Sequence, residues 1–348
     1  MIEEIFLRVS DLPNVSNVIL APGAVPRLRV NDALVDADFP VVTESEILSF
    51  LKDASSTKSQ SDYFETFKLK KSVEFSISFG RARFRCIMFY QNGSVSLVAR
   101  KINLHIPDFK SLGYSSDFES LIDTKSGLIL IGGPTNSGKT TTLAACVNYF
   151  NNVRPYHVVT IEDPIEYVFS NDKSIISQRE VPRDVASFEE GLKDALRQNP
   201  DVIVIGEIRT PEVLETAIRA AETGHLVIST VHASSLSDVI LRIVSLAPPA
   251  RVDYIRSELA SVTHLLVWQR LIAVNEGQNQ RLCLVYEALS KTPAVASMIK
   301  NGKENQFVNE LFKQKRKTFS EQIRQLFYEG KISEETAMQY IAEITNSL

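Results

Sequence analysis

The chain has 348 residues, of which 44% are hydrophobic and 23% charged, and a formal net charge of −4. That length and composition suit a globular chain of two domains, each able to bury its own core. The acidic balance argues against a protein that grips long nucleic acid, and the three scattered cysteines, Cys86, Cys146 and Cys283, support neither a disulfide framework nor a zinc site.

The amino terminus, "MIEEIFLRVS", is acidic and lacks a cationic start followed by a long apolar core, so no signal peptide is expected. In "SNVILAPGAVPRLRVNDALV" a strand on each side flanks a Pro22-Gly23 turn, and Asn31-Asp32 follows the second. "EILSFL" reads as a short helix and "KDASSTKSQSD" as a polar loop. In "SVEFSISFGRARFRCIMFYQNGSVSLVARKI" apolar residues alternate at Val73, Phe75, Ile77 and Phe79, and Asn92-Gly93 can close a hairpin. Alternation also puts Arg81, Arg83 and Arg85 on one face, with Arg100 ending the next strand. A charged face on a small sheet is usually solvated. The sharper alternative is that it supplies arginine fingers to the nucleotide of a neighbouring subunit. These elements predict an α+β domain on an antiparallel sheet over residues 1–104, and "LHIPDFKSLG", with Pro107 and Gly113, predicts a linker at 105–113.

From residue 114 to 348 the pattern changes. "GLILIGG", "HVVTI", "DVIVI" and "HLVIST" are short β-branched runs separated by helix-like segments, the grammar of a mostly parallel sheet. Within "GGPTNSGKTTTLAA", Gly133, Gly138, Lys139 and Thr140 fit the phosphate-loop pattern G-x-x-x-x-G-K-[ST]. Such a loop points backbone N–H groups at phosphate oxygens, and the following helix adds its positive end. The nucleotide contacts therefore run over Gly133, Pro134, Thr135, Asn136, Ser137, Gly138, Lys139, Thr140 and Thr141, with Lys139 on the β- and γ-phosphates and the Thr140 hydroxyl helping to hold Mg²⁺. Asn136 stands where another glycine would be an easy choice; asparagine readily accepts a left-handed backbone, so the loop keeps its shape.

Glu207 ends the apolar run of "DVIVIGEIR", where a carboxylate can sit beside Mg²⁺; Asp201, at the start of that run, is about 20 Å away along an extended chain. Glu162, Asp163 and Glu166 cluster past "HVVTI", and Pro164 imposes an extended or turned path on Asp163. A carboxylate there can orient an attacking water, whereas Glu166 reads as a solvated charge. His225 and His232 bracket a strand at an odd spacing, so they face opposite ways and do not share a metal. One can sense the γ-phosphate while the other bonds backbone. Ser187 and Glu190 fit a capping box before the stripe Phe188, Leu192, Ala195 and Leu196, while Thr210-Pro211 starts another helix that Gly224 can end. The last hundred residues read as helical, and their basic run Lys313–Lys317 is either a solvated face or a contact for anionic lipid or a platform protein. No apolar run reaches about 18 residues, so any membrane association is expected to be peripheral.

In order and spacing, the phosphate loop, "TIEDPIE", "QREVPRD", "VIVIGEIR" and "AAETGHLVISTVHASS" resemble the ATPase superfamily of type II secretion and type IV pili, most closely the PilT-like pilus retraction ATPases. The resemblance covers nearly the whole chain. It implies a RecA-like phosphate-loop domain preceded by a smaller PAS-like α+β domain, a homo-hexamer that binds ATP and Mg²⁺, and work on an inner-membrane pilus platform protein from the cytoplasmic face. It also implies Glu162 as the water-activating base, Glu207 as support for Mg²⁺ (partly through water), His232 at the γ-phosphate, and Arg83, Arg85 and Arg100 as fingers. The sequence departs from the family at Asn136, usually glycine, at Gly93, where the family has arginine, and at "AVASMIK", residues 294–300, where a motif tied to retraction is eroded. The tetracysteine motif of the assembly ATPases is absent. The alternatives are a type IVB secretion or conjugative-pilus ATPase, a RecA-like nucleic-acid translocase, and a non-hydrolysing partner of a true motor.

Overall fold

Alternating apolar side chains build the first part of the chain and continuous apolar runs the second, as a computed structural model shows. It describes every residue except 13–14, 31–32, 59–62, 81, 103–105, 277–278 and 346–348. Arg81, the Asn31-Asp32 turn and the expected boundary at residue 104 therefore lie outside the described residues. The chain divides into two units, Met1–His105 with Glu166–Val168, and Ile106–Ile165 with Phe169–Leu348.

In the first unit α1 (Ile2–Ser10) buries Ile2, Ile5, Phe6 and Val9, one face at helical spacing. Then come β1 (Val15–Leu20), β2 (Arg27–Val30), β3 (Ala33–Asp36), α2 (Glu44–Lys58), α3 (Tyr63–Lys70), β4 (Ser72–Phe79), β5 (Ala82–Gln91) and β6 (Ser94–Ile102). The strands form one antiparallel sheet in the order β3-β2-β1-β6-β5-β4. Its core centres on Phe6, stacked on Phe50 at 5.3 Å and edge-on to Phe84 at 4.7 Å. Asn92 (φ 48°) and Gly93 (φ 80°) both take left-handed backbone to close β5 onto β6, as the hairpin reading expects.

Two expectations need correction here. β3 is a third strand where two were expected; all four of its residues are exposed, so it lacks the buried face that makes a strand visible as alternation. α2 runs on through most of the segment expected to be a loop. It is started by Thr43 and Glu46, each bonding the other's backbone N–H, a box that "EILSFL" alone does not reveal.

The second unit begins with the short helices α4 (Phe109–Leu112) and α5 (Phe118–Ile122). There follow β7 (Gly127–Gly133), α6 (Lys139–Val153), β8 (His157–Glu162), β9 (Ile175–Glu180), α7 (Phe188–Ala195), β10 (Val202–Glu207), α8 (Pro211–Glu222), β11 (Leu226–His232), α9 (Leu236–Ser245) and α10 (Val252–Val262). A long hairpin, β12 (Thr263–Glu276) and β13 (Asn279–Ser290), precedes α11 (Pro293–Lys300), α12 (Phe307–Lys313), α13 (Phe319–Tyr328) and α14 (Glu334–Thr345). The sheet order is β13-β12-β7-β11-β10-β8-β9, parallel except for the β12–β13 pairing. It is the RecA-like α/β domain, preceded by the smaller antiparallel α+β domain. The hairpin corrects the expectation that the last hundred residues are helical: "LLVWQ" is buried along its length, and such a run has no alternation to tell strand from helix. Core clusters cover both sheet faces, which is why the central strands read as unbroken apolar runs.

Ser187 and Thr210 cap α7 and α8 by accepting the N–H groups of Glu190 and Val213. The basic run that begins at the last residue of α12 is tied at two points into ion pairs: Lys313 with buried Glu310, and Arg316 with Asp117. Deeper in this region Arg256 of α10 pairs with the buried Glu304 and donates to the Ile299 carbonyl at 2.8 Å, while Ser237 of α9 donates to the Glu304 carbonyl at 2.8 Å. Arg256→Ala strands the Glu304 carboxylate and is expected to lower unfolding free energy by about 3–5 kcal/mol, whereas Arg256→Met combined with Glu304→Leu costs far less. Urea unfolding followed by circular dichroism compares the two.

Candidate nucleotide-binding site

The parallel strands β7, β8, β10 and β11 end on one edge of the sheet, where open α/β folds bind ligands. β7 runs straight into the phosphate loop. A Cβ on Gly133 would fall 2.4 Å from the Gln269 carbonyl oxygen and 2.4 Å from Ser137 Oγ, so only glycine lets the loop lie this close to β12. Asn136 (φ 62°) and Gly138 (φ 84°) take left-handed backbone on either side of Ser137. Asparagine thus fills a position that most side chains disfavour.

Lys139 opens α6, and its Nζ donates to the carbonyls of Gly133 at 2.9 Å and Pro134 at 2.7 Å. Burial holds its ammonium below the ordinary lysine range, against the pull of the Glu207 carboxylate. Ser137 Oγ is buried without a hydrogen-bond partner. A lysine folded onto loop carbonyls and an orphaned hydroxyl are groups that a phosphate would engage, so the residues present fit a nucleotide. The hard oxygens of Thr140 and Glu207 are the donor type that suits Mg²⁺.

Glu162 and Glu207 end the adjacent parallel strands β8 and β10, and a Cβ on Gly206 would meet the Glu162 Cα at 3.6 Å. Glu162 is 7% exposed and accepts from Thr160 Oγ1 at 2.6 Å and Gln178 Nε2 at 3.2 Å. Glu207 accepts from Arg209 at 2.8 Å and lies 3.7 Å from His232 Nε2. That bond, opposed by partial burial, raises the Arg209 pKa. His225 sits at the other end of β11, its Nδ1 beside the Ala220 carbonyl at 3.0 Å, and Asp201 accepts the His157 N–H at 2.8 Å at the start of β10. Asp163 and Pro164 are joined by a cis peptide.

The loop, Glu162, Glu207 and His232 are therefore brought to one sheet edge. Arg83, Arg85 and Arg100 belong to the first unit, where Arg85 pairs with Arg100 across β5 and β6 and Arg83 faces Ile102. Arg83 is buried, Arg85 forms an ion pair with Glu74, and Arg100 is exposed. Sequence reasoning missed Arg209, Gln178 and Gln269. Arg209 was within reach, since residues two apart on an extended segment share a side; the glutamines meet the site only through strand pairing.

The chain belongs to the type II/IV secretion system protein family, whose model matches residues 71–342, and it is an ATPase. It is 36% identical to the type IV pilus retractation ATPase PilT of Pseudomonas aeruginosa over 288 residues, 83% of this chain and 82% of that one. It is 33% identical to the type IV pilus ATPase PilU of the same organism over 337 residues, 96% and 86% of the two chains. A crystal structure of the pilus retraction motor PilT with bound ADP matches with a TM-score of 0.87 and 38% identity, covering 97% of this chain and 96% of that one.

Asn136→Gly is expected to leave ADP affinity within about threefold, because both residues accept the loop's backbone. Asn136→Val forces a β-branched residue into the left-handed region and is expected to weaken binding about tenfold. Equilibrium titration with a fluorescent ADP analogue measures both.

Proposed function

We propose that this ATPase is a ring motor, a homo-hexamer, that couples ATP hydrolysis to type IV pilus retraction. The observation that carries the reading is the convergence of the phosphate loop, Glu162, Glu207 and His232 on one sheet edge, in a chain related to pilus retraction proteins along nearly all its length. Lys139 leaves the loop carbonyls for the β- and γ-phosphates, and the loop N–H groups take the remaining phosphate oxygens. Thr140, and Glu207 partly through water, would hold Mg²⁺, which would supply positive charge against the phosphate oxygens. Glu162, oriented by Thr160 and Gln178, accepts a proton from the attacking water. His232 contacts the γ-phosphate, and Glu207 and Arg209 hold its surroundings.

Arg83, Arg85 and Arg100 supply positive charge toward the nucleotide of a neighbouring subunit. Residues 105–113 serve as the linker between a first domain at 1–104 and the ATPase domain at 114–348. The likeness to pilus motor ATPases supports peripheral work on an inner-membrane platform protein from the cytoplasmic side; among the described residues no helix is long and apolar enough to cross a membrane.

Lys139→Ala is expected to abolish ATP turnover and twitching while leaving the circular dichroism spectrum unchanged; normal turnover in that variant would overturn the reading. Glu162→Gln is expected to bind ATP but to hydrolyse it about 10²–10⁴ times more slowly, measured in single-turnover assays. DNA and RNA leave turnover unaltered, and stimulation by either would favour a nucleic-acid translocase.

A further inference from the structure

Gln269 lies on β12 beside the phosphate loop and is 1% exposed. Its side-chain amide is engaged at both ends. Nε2 donates to the Ser137 carbonyl at 2.7 Å, and Oε1 accepts from the Tyr114 hydroxyl at 2.7 Å and the Thr142 hydroxyl at 2.9 Å. The two hydroxyls are themselves 3.0 Å apart, so two hydroxyl protons serve three close oxygen pairs. A buried network of this kind holds its members in one arrangement, because a group left unpaired there is expensive.

The anchor point matters. Ser137 stands between the two left-handed residues, Asn136 and Gly138, where the loop turns into α6. Thr142 lies on α6 itself. Tyr114 follows Gly113, which ends α4 in a left-handed conformation, and its ring is held among Phe109, Phe118 and Tyr286 at centroid distances of 5.6, 4.0 and 4.5 Å. One amide therefore joins the loop, its helix and the segment by which the chain enters this unit.

We propose that Gln269 is a positioning residue for the phosphate loop, and that Tyr114 acts through it, so that the placement of residues 109–114 sets how well the loop holds a nucleotide. This rests on the nucleotide site at Lys139. Gln269 touches the loop backbone, and its effect reaches the phosphates only through the placement of the Ser137 peptide.

The test uses the purified full chain, a fluorescent ADP analogue and steady-state ATP hydrolysis. Gln269→Met keeps the volume and loses the amide. It is expected to weaken ADP binding about tenfold and raise the KM for ATP to match, with kcat within about threefold. Tyr114→Phe is expected to weaken binding about threefold alone and to add nothing in the Gln269→Met background. Gln269→Glu keeps an acceptor for the two hydroxyls but, when ionised, has no proton for the Ser137 carbonyl. Its affinity relative to the unmodified protein is expected to recover between about pH 8 and pH 6, as the new carboxyl takes up a proton and donates it. A purely structural role would shift the melting temperature without this pH-dependent recovery.

Affinity within twofold of the unmodified protein for a folded Gln269→Met variant overturns the proposal, as do additive losses in the double variant or a flat relative pH profile for Gln269→Glu. If Gln269→Met does not fold, Tyr114→Phe and the pH profile decide. Unaltered ADP affinity in Lys139→Ala would instead overturn the nucleotide site, whatever the Gln269 variants do.

Discussion

The approach of the phosphate loop to β12 is the constraint on which the active edge depends. Gly133 touches the Gln269 backbone where no side chain fits, and the next turns of the loop need two left-handed residues before α6 can begin. Once the loop is pressed there, Lys139 starts the helix at a fixed distance from β7, and the ends of β10 and β11 come alongside through ordinary parallel pairing. The carboxylates need no search for position: they are the last residues of neighbouring strands in a sheet whose register is set by burial on both faces.

The electrostatics follow from the same edge. Each acid is met by groups from its own surroundings, Glu162 by Thr160 and Gln178, Glu207 by Arg209 and His232. The two carboxylates thus have different company although they stand on adjacent strands. Glu162 is sunk and hydrogen-bonded, suited to hold a water and receive a proton, while Glu207 faces the Arg209 guanidinium, a cation that a metal would have to displace or share.

The parts of this arrangement that were legible in the sequence are those where chemistry fixes residue type at fixed spacing. The loop, the acids at strand ends, the His225–His232 pair and the caps at Ser187 and Thr210 belong to that class. Parts set by tertiary pairing were not legible. Residues 265–269, in the first half of β12, are continuously buried, so their pattern is silent about strand or helix; β3 is short and exposed, so it has no pattern to read. Gln178 and Gln269 lie far along the chain from the groups they bind, and no local rule singles out a glutamine in a strand. Asn136 was the reverse case: an apparent departure whose backbone angle shows why the residue is admissible.

The contacts of Lys139 have a consequence for the proposed cycle. Two of the three N–H donors of its ammonium serve loop carbonyls, so a phosphate that draws the whole ammonium to itself would compete with them. The loop competes with its own ligand. Binding exchanges one set of hydrogen bonds for another, and the net gain is smaller than the sum of the new contacts. In the proposed cycle the same exchange run backwards would return the lysine to those carbonyls as ADP leaves, so that release would uncover no bare acceptor.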